Sequence, residues 1–349
     1  MSKNSSIFNL RFRKTEIMEK NDGKLIVGLA QLAPVWLDKE ATLEKIIEAI
    51  HKAGQKGIDL LVFGEGFVPG YPLWTGLTDA TVFDSPMQKE LHAHYAANAV
   101  VIENGDLDTV CSLLKEYEMA SYLGVIERPS DRGGHSLYAS LVFIDSSGKV
   151  RSVHRKLRPT YDERLTWSPG DGHGLQVHPL KEFTVGGLNC WEIWMPLVRS
   201  SLYAQGENLH IAVWPGSDHN TRDITRFMAR ESRSFVVSVS SLMRKEDFPE
   251  TTPYFKEILE KAPDILTNGG SCVAGPDGEW ILEPQVGQEE IYKVELNFKR
   301  VLEERQNFDP SGHYSRPDVT RLIVNRERQS VIRFEESGEY GNKEKEKGI

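Results

Sequence analysis

Cysteine is scarce in this chain of 349 residues, which contains only three: Cys111, Cys190 and Cys272. Three cysteines cannot all pair with one another. That count suits a reducing cytosol and leaves room for one functional thiol.

Long apolar runs and an excess of positive charge are also missing. No run approaches the roughly 18 apolar residues that a membrane span needs. The first twenty residues, MSKNSSIFNLRFRKTEIMEK, lack the continuous apolar region of a secretory signal. A formal net charge of -9 argues against a domain that binds nucleic acid. We therefore expect a cytoplasmic protein that acts on a neutral or apolar small molecule, without a nucleic-acid or membrane partner.

The usual motifs for metals and nucleotides are absent as well. The ten histidines show neither HExxH nor a paired spacing typical of a metal site. The glycines form neither a P-loop nor a GxGxxG motif after a strand. The prediction is no metal and no cofactor.

The apolar residues that are present predict a layered α/β domain over residues 23–308. Buried-strand patterns such as DLLVFGE alternate with helical patterns over 39–54, near 86–102 and 106–119, and hairpin signals mix antiparallel pairs into the sheets. Residues 1–22 are predicted to form a polar N-terminal extension. Residues 309–349 are predicted to form a C-terminal tail, first an interface and then disordered.

Cys190 has an unusual setting for a core cysteine. It lies in VGGLNCWEIWMPLVRS, where an apolar strand should end and a helix should soon begin. The ordinary interpretation is a small buried hydrophobe. Gly186 and Gly187 before it and Glu192 after it favour a thiol that faces a ligand at the carboxyl end of a strand.

A thiol nucleophile needs a base or a nearby cation, because the free thiol has a pKa of about 8.5. Glu65 ends the buried run LLVFGE, and Lys156 lies in HRKLRPTYDERLTW, which also contains Glu163. Taken singly, these are an ordinary loop glutamate and a solvated lysine. Together with Cys190 they suit attack on a carbon multiply bonded to nitrogen: the base takes the thiol proton and the ammonium neutralises developing charge.

In this order, VFGEGFVPGYP, HRKLRPTYDERLTW and LNCWEIWMPL resemble the Glu-Lys-Cys motifs of the nitrilase superfamily. The resemblance covers nearly all of residues 24–325, including AVWPG and GHYSRPDVTRLIVN. Cys-Trp-Glu followed by Met-Pro-Leu is similar to the nitrilase branch. The sequence departs from that branch at Gly64, where an apolar residue or proline is commoner, and at Ile193, where asparagine or histidine is frequent.

The resemblance implies a four-layer αββα sandwich of two mixed β-sheets with helices outside. It also implies a homo-oligomer, a dimer or a larger spiral, in which the C-terminal region takes part. The implied activity is that of a hydrolase of non-peptide carbon–nitrogen bonds, which converts a nitrile to a carboxylic acid and ammonia through a cysteine thioimidate and thioester. The implied catalytic residues are Glu65, Lys156, Cys190 and the additional Glu163. The residues expected to contact substrate are Tyr71, Trp167, Trp191, Glu192, Trp194 and Trp214.

Two other functions remain open on the same residues. An amidase or an amide-forming nitrile or cyanide hydratase could use the same Glu-Lys-Cys site, and the acid-to-amide ratio separates these outcomes from a nitrilase. A non-catalytic scaffold is the third reading, and the presence of all four catalytic residue types argues against it. The sequence leaves open which nitrile is the substrate.

Overall fold

The computed structural model describes residues 23–332. The predicted extension over 1–22 and the last part of the predicted tail, 333–349, lie outside the described residues. Within the described part, thirteen strands form two mixed sheets of six and seven strands. None of the helices between residues 23 and 332 is long and apolar enough to cross a membrane.

The first sheet has the strand order β13-β1-β2-β3-β4-β5. Its strands are β1 Lys24–Gln31, β2 Leu60–Phe63, β3 Ala120–Glu127, β4 Tyr138–Ile144, β5 Val150–Arg155 and β13 Glu290–Asn297. Strands β1, β2 and β3 are parallel, and β3, β4 and β5 form an antiparallel meander. Strands β2 and β5 therefore run in the same direction and end at the same edge of the sheet.

The second sheet has the order β10-β11-β9-β8-β7-β6, with β12 paired to β11. Its strands are β6 His178–Leu180, β7 Phe183–Asn189, β8 Leu209–Trp214, β9 Phe235–Ser240, β10 Leu242–Arg244, β11 Ile265–Ala274 and β12 Trp280–Val286. The central strands β7, β8 and β9 are parallel. Apart from Thr184 in β7, which is partly exposed, their residues are all buried, as expected for parallel strands covered on both faces.

The described α-helices are α1 Lys39–Gln55, α2 Trp74–Leu77, α3 Pro86–Ala97, α4 Asp108–Glu116, α5 Pro196–Tyr203, α6 Asp218–Ser232, α7 Phe255–Lys261 and α8 Lys299–Arg305. Apolar residues of α1 and α4 pack on the outer face of the first sheet. Those of α5 and α6 pack on the outer face of the second. A third apolar core, with Val62 and Tyr122 from one sheet and Val185 and Ile211 from the other, lies between the two sheets. The predicted αββα sandwich is confirmed.

Residues 309–332 contain no helix or strand and are largely exposed. One end of this segment is held to the body by Asp171, whose carboxylate accepts hydrogen bonds from Arg328 Nη1 at 3.0 Å and from the Gln329 N–H at 2.9 Å. Asp171 belongs to the loop that follows Lys156 and Glu163. The division into a domain over 23–308 and a tail from 309 stays a prediction.

Candidate active site

Glu65 lies between the two sheets because two glycines let the backbone pass closely. A Cβ atom on Gly64 would lie 2.3 Å from Ser241 Oγ and 2.9 Å from the Trp214 carbonyl oxygen. A Cβ atom on Gly124 would lie 2.0 Å from the carbonyl oxygen of Gly64. The Glu65 N–H donates to the Trp214 carbonyl at 3.1 Å, so the end of β2 is fixed to the end of β8. Gly64 is thus required by close packing across the sheets.

Cys190 occupies a strained turn directly after β7. Its φ angle is +50°, which is uncommon for a residue with a side chain, and it begins a 3-10 helix over Cys190–Trp194. The turn places the thiol inside the protein, where Cys190 is buried, and the backbone N–H of Trp191 hydrogen-bonds the sulfur. The turn predicted at the strand end therefore directs the thiol toward Glu65 and Lys156.

Lys156 lies at the centre of the cluster. Its Nζ atom is 2.8 Å from Glu65 Oε1 and 2.7 Å from Glu163 Oε2, and all three side chains are buried. Apart from Lys156, no group in the described chain donates a hydrogen bond to the carboxylate of Glu65. One ligand atom from each of Glu65, Glu163 and Cys190 lies within 4.8 Å of the other two. The four predicted catalytic residues therefore meet at one place, close enough for direct proton transfer or transfer through one water.

Glu163 is held from several sides. It lies in a 3-10 helix over Tyr161–Leu165, its Oε1 accepts the Tyr71 hydroxyl at 2.8 Å, and its Oε2 accepts the Thr160 N–H at 2.5 Å. The ring of Trp167 lies 5.5 Å from Lys156 Nζ, within the range of a cation–π contact. These contacts fix the direction in which Glu163 presents its charge to Lys156.

Burial sets the proton affinities of the cluster. It raises the pKa of Glu65 to about 8, although the nearby Lys156 lowers that pKa. It likewise raises the pKa of Cys190 well above the value of a free thiol, with a further increase from the charge of Glu65. Burial alone would lower the pKa of Lys156, but Glu65, Cys190 and Glu163 raise it overall. The resting site thus holds a neutral thiol beside an ammonium, with a Glu65 carboxyl that gains and loses its proton near pH 8.

Glu65, Glu163 and Cys190 are also a donor set of the kind that can hold a metal ion. The ammonium of Lys156 lies within 2.8 Å of both carboxylates and takes the position that a cation would occupy between them. The donor set therefore does not fit a metal while Lys156 keeps its charge.

Glu192, predicted to contact substrate, contacts the protein itself. Its Oε1 accepts the Leu157 N–H at 2.5 Å, its Oε2 accepts the Asn189 N–H at 3.0 Å, and His154 Nε2 lies 3.1 Å from Oε2. Burial raises the pKa of Glu192, but His154 and these N–H groups lower it overall. Since Leu157 follows Lys156 and Asn189 precedes Cys190, this carboxylate joins the two segments that carry the cation and the thiol. A substrate contact for Glu192 stays a prediction.

The predicted aromatic contacts fall into three groups. Tyr71 and Trp167 touch the cluster through Glu163 and Lys156. Trp191 and Trp194 lie next to the thiol in sequence, but their side chains are about half exposed and their rings lie 6.3 Å apart. The indole of Trp214 is buried in the outer core of the second sheet and hydrogen-bonds Ser238 at 3.3 Å. Only the backbone of Trp214 supports Glu65.

Sequence reasoning did not single out Gly124 or Ser241, which also shape the site. Ser241 follows β9 and lines a small cavity together with Glu65 and Tyr71. Its position directly after the buried run FVVSVS, at the carboxyl end of a parallel strand, is the signal that could have identified it.

Comparison with known proteins gives a consistent result. The model of the carbon-nitrogen hydrolase family matches residues 26–306. The chain is 36% identical over 316 residues to Nitrilase 2 from an unknown prokaryotic organism, a match that covers 89% of this chain and 96% of that protein. It is 31% identical to a bifunctional nitrilase/nitrile hydratase of Nicotiana tabacum, with 88% of this chain and 87% of that protein covered.

Among solved structures, Saccharomyces cerevisiae Nit3, a member of branch 10 of the nitrilase superfamily, has a similar fold. The TM-score is 0.62 at 18% sequence identity, and the match covers 84% of this chain and 97% of that one. At this level of identity the likeness concerns the fold alone.

Proposed function

The chain belongs to the carbon-nitrogen hydrolase family, and from this premise we propose that it is a nitrilase of the nitrilase branch, which converts a nitrile and two waters to a carboxylic acid and ammonia. The observation that carries the proposal is the position of Lys156, with its Nζ 2.8 Å from Glu65 and 2.7 Å from Glu163, beside the Cys190 thiol. The relatives described above support the choice of branch.

The first step is addition of the thiol to the nitrile. Cys190 is held as a neutral thiol by burial, so it loses its proton to Glu65 as its sulfur attacks the nitrile carbon. The nitrile nitrogen gains negative charge as the carbon–sulfur bond forms. The Lys156 ammonium and the Trp191 N–H stabilise that charge, and Glu65 passes the proton taken from the thiol to the nitrogen. This gives a thioimidate and restores the Glu65 carboxylate.

Two hydrolytic steps complete the reaction. Water adds to the thioimidate carbon while Glu65 takes its proton and passes it to the nitrogen, which gives a tetrahedral intermediate. The nitrogen then gains the proton of the new hydroxyl, with Glu65 as the carrier, and leaves as ammonia, so that a thioester remains on Cys190. A second water, deprotonated by Glu65, then attacks the thioester. The carbon–sulfur bond breaks, the acid leaves, and the sulfur recovers its proton from Glu65. Glu163 keeps Lys156 in place throughout and contributes to orienting the water.

The first experiment measures ammonia, acid and amide released from a panel of aryl, arylacetic and aliphatic nitriles, with Cys190→Ala as the control. Acid and ammonia in equal amounts, both lost in the control, would support a nitrilase. Hydrolysis of amides without turnover of any nitrile would refute the nitrilase assignment and point to an amidase.

Release of amide is the second candidate outcome. It arises when the tetrahedral intermediate of the first hydration expels the sulfur rather than ammonia. The name of the Nicotiana tabacum relative, a nitrilase/nitrile hydratase, describes both outcomes for that protein. The measured acid-to-amide ratio decides between them for this chain.

We also propose that the protein self-associates. Trp191, Trp194 and Leu197 expose large apolar surfaces next to one another in sequence, and the segment 309–332 exposes Val319 and Ile323. Light scattering before and after truncation beyond Asn307 tests this. A change in particle size would implicate the tail, and an unchanged monomer would contradict self-association.

All three cysteines are free, which supports a reducing, cytoplasmic location for this enzyme.

A further inference from the structure

A small cavity lies against Glu65, and neither Lys156 nor Cys190 lines it. Its wall is apolar where Trp36 and Met243 contribute, and polar where Glu65, Ser241 and Thr267 contribute. The centre of a water molecule can move within ≈ 10 Å³ of this cavity. That space is about what one water molecule needs, and a water remains in a cavity only if polar groups bind it.

The hydroxyl of Ser241 is the first such group. Ser241 is buried, with 6% of its surface exposed, and its Oγ has no hydrogen-bond partner in the described chain. The backbone on both sides is fixed, because the Ser241 carbonyl accepts from Thr267 Oγ1 at 3.4 Å and the Leu242 N–H donates to the Leu32 carbonyl at 3.1 Å. The Oγ lies against Gly64, the residue before Glu65, where an added Cβ would be only 2.3 Å away.

The carboxylate of Glu65 is the second group. Lys156 approaches Oε1, and no other described group donates a hydrogen bond to either oxygen. A buried carboxylate with one partner has unused acceptor positions, and a buried hydroxyl without a partner is costly. One water in the cavity that both residues line would complete the hydrogen bonds of both groups, because it could accept from or donate to Ser241 and donate to Glu65.

We propose that Ser241 is a positioning residue that, together with the Glu65 carboxylate, holds one water in this cavity and thereby orients Glu65 as the base. The proposal rests on the proposed function, since it assigns Ser241 a role in the same carbon–nitrogen hydrolysis. A hydrogen bond donated to a carboxylate favours its ionised form. Removing the hydroxyl therefore makes Glu65 harder to ionise, and the acid limb of the pH–rate profile moves to higher pH.

The other groups that act on Glu65 are the same in a Ser241 variant. Lys156 favours the ionised carboxylate, whereas Glu163 and Glu192 disfavour it. Cys190 lies within 4.8 Å of Glu65, and Tyr71 lines the same cavity. Because none of these groups is changed, a shift of the acid limb of the pH–rate profile in a Ser241 variant can be assigned to the loss of the Ser241 hydroxyl.

The test compares Ser241→Ala with Ser240→Ala. Ser240 is the matched control: it is the preceding residue, it is buried, and its Oγ also lacks a partner in the described chain, but it does not line the cavity. We expect Ser241→Ala to lower kcat/KM at neutral pH roughly tenfold and to move its acid limb upward by about one pH unit. Ser240→Ala should leave the limb where it is. Equal profiles for the two variants would overturn the proposal.

Ser241→Thr distinguishes the effect of the water from that of the hydroxyl itself. Threonine keeps the hydroxyl, but its methyl group takes space that the water needs. If the water carries the contact, the limb moves in both the Thr and the Ala variants. If the acid limb moves only in the Ala variant, the proposed water is refuted, and a direct hydrogen bond from the Ser241 hydroxyl to Glu65 would explain the result.

The failure of this proposal can be distinguished from the failure of the proposed function. Wild-type turnover of nitriles tests the function, and the Ser241 variants are assayed on whichever substrate, nitrile or amide, the wild type hydrolyses. If no Ser241 variant folds, or if the wild type hydrolyses neither, a crystal structure of the wild type decides. Density for a water within hydrogen-bond distance of both Ser241 Oγ and Glu65 supports the proposal, and its absence overturns it.

Discussion

Lys156 Nζ lies 2.8 Å from Glu65 Oε1, and both side chains are buried. An ammonium at this distance stabilises a carboxylate, yet burial is the larger effect and leaves the pKa of Glu65 at about 8. A carboxylate in water would be too weak a base to take a thiol proton. Burial thus makes Glu65 a stronger base than a carboxylate in water, and the ion pairs with Glu65 and Glu163 keep Lys156 charged.

The pH dependence of kcat/KM follows from this relationship. Glu65 must be ionised to accept the thiol proton, so activity is low below its pKa and rises with pH through about 8. The charge of Glu163 raises that pKa, so Glu163→Gln should move the acid limb to lower pH while it also lowers the rate. Initial rates between pH 5 and 10, interpreted as apparent values of the coupled cluster, check both expectations. A Glu163→Gln limb at higher pH would contradict this account of the cluster.

Removing Lys156 should cost both activity and stability. Lys156→Ala leaves Glu65 and Glu163 buried without their cation, and breaking a buried pair in this way costs about 3–5 kcal/mol. The rate should fall by about 10²–10³-fold or more, because a group that stabilises the transition-state charge is lost. Lys299→Ala is the control, since its ion pair with Glu303 is exposed and worth about 0.5 kcal/mol or less. Denaturant unfolding of both variants, with rates for each, gives the comparison. Equal stabilities would mean that the buried carboxylates find other partners.

Glu192→Gln should disturb the spacing between Lys156 and Cys190. An amide can accept only through its oxygen, so its NH₂ group would face an N–H that the carboxylate now satisfies, from either Leu157 or Asn189. We expect a loss of about 1–3 kcal/mol in the free energy of unfolding. We also expect a larger fall in kcat than rise in KM, since the residue positions catalytic groups. Glu48→Gln, on the exposed side of α1, is the control and should change neither quantity. A rise in KM alone would instead favour the predicted contact of Glu192 with substrate.

The sequence predicted the parts of the site that depend on strand ends. Glu65 and Cys190 follow the buried strands β2 and β7, which produce recognisable apolar runs, and Lys156 directly follows β5, which is only partly buried. The partners of Glu192 could not be predicted in this way. His154 and Leu157 are 38 and 35 residues away along the chain, and only the packing of the two sheets brings them together.

The ends of two helices also could not be predicted from the apolar pattern of the sequence. The helical pattern near 86–102 contains a helix that ends at Ala97, and the pattern near 106–119 contains one over Asp108–Glu116. A 3-10 turn at Ile102–Asn104 and Gly105, with φ +85°, separate them. Apolar spacing continues across this connection because those residues still face the core, so periodicity alone overestimates both helices.

Gly64→Ala tests whether the close approach between the sheets sets the position of Glu65. The added Cβ would lie 2.9 Å from the Trp214 carbonyl oxygen and 3.0 Å from the Ser241 backbone nitrogen, neither of which can rotate away. Overpacking of this kind costs about 1–3 kcal/mol, and the strain falls on the residue next to the base. Gly76→Ala is the matched control, since Gly76 lies in the short helix α2 with open space around its Cβ position, and alanine there should be neutral or slightly stabilising. Thermal unfolding and kcat for the two variants, measured together, decide the point. If Gly64→Ala keeps full activity despite lower stability, the close approach of the sheets at Gly64 does not set the position of Glu65, and the contact between β2 and β8 serves only the fold.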